Sequence, residues 1–104
     1  MINVGDKIPS FKVLNQDDVT VSSEQLLGKK LILFFYPKDD TPGCTAEACS
    51  LRDGFGLLTG LGYTLLGISP DTSSKHRKFI EKHSLPFQLL ADTDHKMMED
   101  FGVN

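Results

Sequence analysis

The sequence contains the run Leu31-Ile32-Leu33-Phe34-Phe35-Tyr36, in which no side chain is charged. A strand with one face in water alternates apolar and polar residues, whereas a strand covered on both faces is apolar throughout. The run therefore predicts a β-strand at the centre of a parallel sheet.

The flanking patterns predict the remaining elements. Residues 11–14 and 19–21 flank a polar turn and predict a small hairpin, after which Ser22 or Ser23 can cap a short helix that ends at Gly28. Downstream of the apolar run, the sequence predicts a helix from about Pro42 to Leu58, a strand over 63–69, a helix that starts at 71–74, a strand over 87–90 and a last helix from about Asp94 to Phe101. This alternation favours right-handed crossovers and a parallel sheet with helices on its faces, which is the α/β class.

The composition is that of an ordinary folded domain. The 104 residues are 39% hydrophobic and 24% charged, so we expect one domain over residues 1–104. The net charge is −3 and the basic residues are scattered, which argues against nucleic acid or an anionic membrane as a partner. Residues 31–35 fall far short of the about 20 apolar residues of a membrane span, and residues 1–6 lack a signal-peptide pattern, so we expect a cytoplasmic protein.

The two cysteines, Cys44 and Cys49, are the residues most suited to chemistry. Cytoplasmic thiols are kept reduced, so a catalytic or redox role is favoured over a structural disulfide. Cys44 follows the apolar strand at the sheet edge where ligands bind in α/β folds. The alternative interpretation is that Cys44 is a small buried hydrophobic residue.

The residues before Cys44 predict a helix start. Thr41 is a good N-cap and Pro42 suits the first helical position, so Cys44 falls in the first turn. Unpaired amides and the positive end of the helix dipole favour a thiolate there. Three acidic residues nearby disfavour the thiolate, namely Asp39, Asp40 and Glu47, and Lys38 favours it. The sequence leaves open which effect is larger.

The histidines do not predict a metal site. They form no close pair on one helical face with a carboxylate or thiol, and we expect all three to lie at the surface: His76, His83 and His95. We expect Met97 and Met98 to pack in the last helix, and Arg52 to form an ion pair away from Cys44. No metal or cofactor is expected.

Residues 34–49 carry a family resemblance. Pro37, Thr41 and Cys44 stand in the spacing P-x-x-x-T-x-x-C, which resembles the active-site motif of peroxiredoxins, and the whole segment resembles the signature of their bacterioferritin-comigratory, or peroxiredoxin Q, group. Further segments resemble the same group, at residues 5–11, 67–71 and 85–92, so the resemblance extends along the whole chain.

The resemblance implies a thioredoxin-like fold and a thiol-dependent peroxidase that reduces hydrogen peroxide and organic hydroperoxides. Cys44 would attack the O–O bond and become a sulfenic acid, and Cys49 would condense with it to an intrachain disulfide. Thr41 would hydrogen-bond the reacting sulfur or the peroxide oxygen, Pro37 would shield the thiolate, and the amides of Gly43 and Cys44 would hold a peroxide oxygen. A thioredoxin-like dithiol would restore both thiols, and the group implies a monomer.

The position of Cys49 has a geometric consequence. Residues five apart in an ideal helix have Cα atoms about 8 to 9 Å apart. A disulfide tolerates about 7 Å at most without backbone movement, so its formation must unwind part of the helix. Gly43, Gly54 and Gly56 weaken that helix. The alternative is that Cys49 is a core residue.

The chain also departs from the pattern of the group. Members continue through two more strands and a helix, and that segment carries an active-site arginine that neither Arg52 nor Arg77 matches. We therefore expect a C-terminally incomplete domain with reduced activity, and an open sheet edge through which copies can associate. A fragment of that kind, weakly active or inactive, is the alternative to an active peroxidase. A disulfide reductase is a third reading, disfavoured because that chemistry uses C-x-x-C.

Overall fold

The structure, a computed structural model, describes residues 8–103, so the resemblance at residues 5–7 lies outside the described part. The elements in chain order are β1 (Lys12–Asn15), β2 (Thr20–Ser22), a 3-10 helix (Ser23–Leu26), β3 (Lys30–Phe35), α1 (Pro42–Asp53), α2 (Phe55–Gly60), β4 (Tyr63–Ser69), α3 (Ser73–His83), β5 (Gln88–Ala91) and α4 (Lys96–Asp100).

The strands form one sheet in the order β2-β1-β5-β4-β3. Strands β3, β4 and β5 are parallel, with α1 to α3 in their crossovers, which confirms the predicted α/β class and parallel core. The N-terminal hairpin joins the same sheet, because β1 pairs antiparallel with both β2 and β5. The sheet is therefore mixed.

The prediction that the apolar run forms the central strand is wrong for the described residues. Within residues 8–103, β3 pairs only with β4, and it is β4 that lies between two parallel neighbours. The apolar pattern has another cause, since alternate side chains of β3 pack against clusters on opposite faces of the sheet. A strand at the end of a sheet can thus be covered on both faces.

Two apolar clusters lie on the two faces. One, the α4 cluster, contains Phe11, Val21, Leu26, Leu66, Ile68, Leu90, Met97 and Phe101. The other, the α1/α3 cluster, contains Phe34, Tyr36, Ala48, Leu65, Phe79, Leu85, Phe87 and Leu89. The predicted packing role of Met97 is confirmed, since the residue is 2% exposed, whereas Met98 is partly exposed.

The predicted helix over residues 42–58 is divided in two. Helix α1 ends at Asp53, and Gly54 takes φ −90° and ψ 1° before α2 begins at Phe55. Glycine has a low helix propensity, which accounts for an interruption at this point. Among the described residues, no helix combines the length and the apolar character that a membrane crossing requires.

Candidate active site

Cys44 lies where the parallel strands end and α1 begins. The backbone amide of Tyr36 donates to the Ile68 carbonyl at 3.0 Å, which continues the β3 to β4 pairing to the start of the loop. The loop then runs through Pro37 to Thr41, and Cys44 is the third residue of α1. This is the sheet edge at which α/β proteins bind ligands.

The start of α1 has the predicted N-cap and first residue, and the N-cap side chain makes no hydrogen bond to the helix. Thr41 is the N-cap with φ −85° and ψ 152°, and Pro42 is the first helical residue. The first helical bond runs from the Thr45 amide to the Thr41 carbonyl at 2.8 Å. The Thr41 hydroxyl donates to the Lys38 carbonyl at 3.2 Å and does not accept from the helix. The amides at the second and third helical positions therefore keep no helical partner.

The predicted site residues meet at this junction with unequal burial. Cys44 is half-buried and packs against the α1/α3 cluster, whereas Pro37 and Gly43 are exposed. A Cβ built on Gly43 would meet no heavy atom within 4 Å, so the space beside the helix start is open. Cys49 is also half-buried, on the same helix, and both thiols are free.

A buried hydrogen-bond network holds the loop that precedes Cys44. The Asp39 carboxylate accepts from the Tyr36 hydroxyl at 2.5 Å, and its second oxygen lies 2.7 Å from Nδ1 of His76. Nε2 of His76 lies 3.0 Å from the Leu90 carbonyl oxygen on β5. Buried side chains thereby connect the loop to α3 and β5.

The backbone of the same loop residue is held as well. The Asp39 amide donates to the Asp71 carboxylate at 2.6 Å, and the Ser69 hydroxyl donates to the same oxygen at 2.8 Å. Burial, followed by the negative charge of Asp39, raises the pKa of Tyr36 well above its usual value. Tyr36 therefore stays protonated and acts as a hydrogen-bond donor.

The prediction that His76 lies at the surface is wrong. His76 is 0% exposed, whereas His83 is partly exposed and His95 is exposed. His76 shares the apolar stripe of α3, since Phe79 and Ile80 follow at three and four residues. This spacing was the sequence signal that His76 is buried. A histidine on the buried face of a helix needs polar partners, and Asp39 and the Leu90 carbonyl are those partners here.

The other charged groups near the loop are also paired. Asp40 accepts from Nζ of Lys82 at 2.7 Å and lies 3.2 Å from Nε2 of His83. The Lys82 hydrogen bond, followed by that of His83, lowers the pKa of Asp40. Arg52 pairs with its neighbour in the chain and donates to the His83 carbonyl at 2.8 Å, which fits the expected ion pair away from Cys44. Within residues 8–103, no group of three His, Cys, Asp or Glu residues is arranged to hold a metal ion.

Comparison with known proteins places this arrangement in a family. The model of the AhpC/TSA family matches residues 4–104. The chain belongs to the AhpC/TSA family. It is 50% identical to the putative peroxiredoxin bcp of Haemophilus influenzae over 98% of this chain and 66% of that protein.

Solved structures agree. Peroxidoxin BcpB of Mycobacterium tuberculosis matches with a TM-score of 0.89 and 34% identity, over 94% of this chain and 64% of that chain. The bacterioferritin comigratory protein of Xanthomonas campestris, whose structure concerns alkyl peroxide reduction, matches with a TM-score of 0.86 and 27% identity, over 88% of this chain and 59% of that chain. These relatives confirm the predicted group and its thioredoxin-like fold, and the chain spans between 59% and 66% of the length of the three named here.

Proposed function

We propose that the chain is a thiol-dependent peroxidase in which Cys44 reduces peroxides and Cys49 resolves the oxidised thiol. One observation carries the proposal: Cys44 is half-buried in the first turn of a capped helix, at the ligand-binding edge of the sheet, beside amides that lack helical partners. Membership of the AhpC/TSA family supports the same chemistry. The work on the Xanthomonas campestris relative favours organic hydroperoxides among the substrates.

In the first step, the Cys44 thiolate attacks one peroxide oxygen. An S–O bond forms, the O–O bond breaks, and the leaving hydroxide or alkoxide takes a proton and departs as water or alcohol. The thiol is oxidised to a sulfenic acid and the peroxide is reduced. The amides of Gly43 and Cys44 are suited to stabilise the charge on the peroxide oxygens, because they are preorganised donors at the positive end of α1.

Two further residues have supporting roles in this proposal. Thr41 adjoins the reacting helix turn, and its hydroxyl, now on the Lys38 carbonyl, would turn to the peroxide oxygen or to the sulfur of Cys44. Pro37 begins the loop, is exposed and carries no N–H, so it would cover the thiolate without offering water a hydrogen-bond donor.

In the second step, the Cys49 thiolate attacks the sulfenic sulfur of Cys44. An S–S bond forms, the S–O bond breaks, and the hydroxide takes a proton and leaves as water. A dithiol reductant such as thioredoxin then reduces the disulfide by two successive exchanges. Because both cysteines lie within α1, this step requires the helix to open.

The proposal is tested by following NADPH consumption in the presence of thioredoxin, thioredoxin reductase and a hydroperoxide. We expect peroxide-dependent NADPH consumption by the wild-type chain and none by Cys44→Ser or Cys49→Ser. Cys49→Ser should still consume one equivalent of peroxide, because it stops at the sulfenic acid, whereas Cys44→Ser should consume none. Turnover by Cys44→Ser at the wild-type rate would overturn the assignment. Reduction of insulin disulfides by the chain in the absence of peroxide would indicate a disulfide reductase instead.

A further inference from the structure

His76 has a hydrogen-bond partner at each ring nitrogen, and both partners are acceptors. The Leu90 carbonyl can only accept, so Nε2 carries the proton between them at 3.0 Å. Nδ1 lies 2.7 Å from the Asp39 carboxylate. If this carboxylate is ionised, it too can only accept, and the ring then carries a proton on both nitrogens.

Both carboxylate oxygens of Asp39 have hydrogen-bond partners. One of its oxygens accepts from the Tyr36 hydroxyl and the other faces His76, and hydrogen bonds received by a carboxylate stabilise its charge. The Asp39 side chain is 5% exposed and that of His76 is 0% exposed. A buried charge of either sign needs a partner, and these two residues supply each other with one.

This pair is linked to the reacting thiol through the loop before α1 and, through Tyr36, to the α1/α3 cluster. Asp39 precedes Cys44 by five residues, and the aromatic rings of Tyr36 and Phe79 belong to the cluster against which Cys44 packs. An unpaired carboxylate in the loop before Cys44 would disfavour the thiolate, because like charges repel.

The other charged and titratable groups around the loop come from each element packed against it. Asp40 is paired with Lys82 and lies beside His83, and Asp71 has Lys75 at 4.0 Å. The full set comprises Tyr36, Lys38, Asp40 and Asp71 on the strand ends and loop, Glu47 on α1, and Lys75, Lys78, Lys82 and His83 on α3.

We propose that His76 is a positioning residue for Cys44: it fixes the loop from Pro37 to Thr41 through Asp39, and its imidazolium offsets the Asp39 charge so that the thiolate can form. This inference rests on the proposed peroxidase function and names a residue outside the reacting groups. His76 touches neither sulfur nor substrate, and acts through the Asp39 carboxylate.

The two halves of the pair are tested with substitutions that keep hydrogen bonds. His76→Asn keeps a donor toward Asp39 but removes the cation. Asp39→Asn donates to a neutral His76, so the network stays bonded and loses both charges together. The double variant of His76→Asn and Asp39→Asn carries no charge at either position. His95→Asn is the matched control, because His95 is exposed and its φ of 61° suits asparagine.

Two readouts are followed for each variant: the rate constant for Cys44 oxidation by hydrogen peroxide, and the pH midpoint of Cys44 alkylation by iodoacetamide. We expect His76→Asn to raise the alkylation midpoint by about one pH unit and to slow oxidation about tenfold or more, since one unit is a tenfold change in thiolate fraction. Asp39→Asn and the double variant should return the midpoint to within about half a unit of wild type. The His95→Asn control should match wild type in both.

A folded His76→Asn variant with the wild-type midpoint and rate would overturn the proposal, as would an equal loss in His76→Asn and Asp39→Asn. If His76→Asn does not fold, nitrogen NMR of the wild-type ring decides: protons on both nitrogens support the pair, and a neutral ring overturns it. Alkylation and NMR need no peroxide. An absent peroxide reaction would therefore refute the proposed function and leave this inference to be judged separately.

Discussion

Disulfide formation should cost part of α1, and the cost follows from its geometry. Cys44 and Cys49 both lie within the helix from Pro42 to Asp53. A rise of about 7.5 Å and a rotation of about 140° over five residues place their Cα atoms about 8 to 9 Å apart. Since a disulfide bridges about 7 Å at most, oxidation must unwind the backbone between the two residues.

The fold sets where this unwinding stops. Leu51 packs against the α1/α3 cluster, so the helix should stay anchored beyond the second cysteine. The amides of residues 45–48 donate to carbonyls of residues 41–44, and the first of these bonds measures 2.8 Å. Losing four such bonds, at about 0.5 to 1.5 kcal/mol each, lowers local stability by about 2 to 6 kcal/mol.

Hydrogen exchange before and after one equivalent of peroxide measures this effect. We expect residues 45–48 to lose most of their protection, while residues 51–53 keep theirs. Cys49→Ser is the control, because it stops at the sulfenic acid and should retain the exchange pattern of the reduced chain. A disulfide proven by peptide mapping, with exchange unchanged around Cys44, would refute the helical geometry on which the reasoning rests.

Three further outcomes are expected. At about pH 6.5, iodoacetamide should label Cys44 before Cys49, because only Cys44 lies at the helix start; peptide mapping that shows the reverse order would contradict this. Gly67→Ala should destabilise the fold by about 1 to 3 kcal/mol in urea unfolding. The reason is that the added Cβ would lie 2.6 and 2.7 Å from side chains of both neighbouring strands. An unchanged urea midpoint would show that the strands can separate. The pKa of Asp40 is lowered. Its contact with Lys82 therefore stabilises the fold at pH values above the usual aspartate pKa of about 3.9, and this stabilisation is lost as the pH falls through the lowered pKa. Lys82→Met should raise the NMR titration midpoint of Asp40, and an unmoved midpoint would count against the contact.

Local sequence patterns predicted the elements well and their arrangement less well. The strand over 63–69 was predicted with the observed bounds, because its apolar residues are flanked by glycine and proline. The position of β3 was not predictable from its apolar side chains, since coverage of both faces does not depend on how many strands flank it. Strand order is a property of the crossovers and of distant pairing, neither of which the run itself encodes.

The candidate site shows the same division. The segment from Thr41 to Cys44 predicts a capped helix start because the residues involved are adjacent in sequence. The pairing of Asp39 with His76 joins residues 37 positions apart, and only the packing of α3 on the loop brings them together. The sequence therefore counts Asp39 among the negative charges near Cys44 and does not predict its pairing with His76.

The two sides of Cys44 are held with different strength, and this difference suits the proposed cycle. On the preceding side, Asp39 is bound through its amide and both carboxylate oxygens to the residues that follow β3 and β4 and to α3. On the following side, α1 buries only Ala48 among its described residues and ends at Gly54. A strain applied by the Cys44 to Cys49 disulfide should therefore be relieved in the helix and not in the loop. The loop then keeps its geometry through oxidation, and the reduced helix can refold against it for the next turnover.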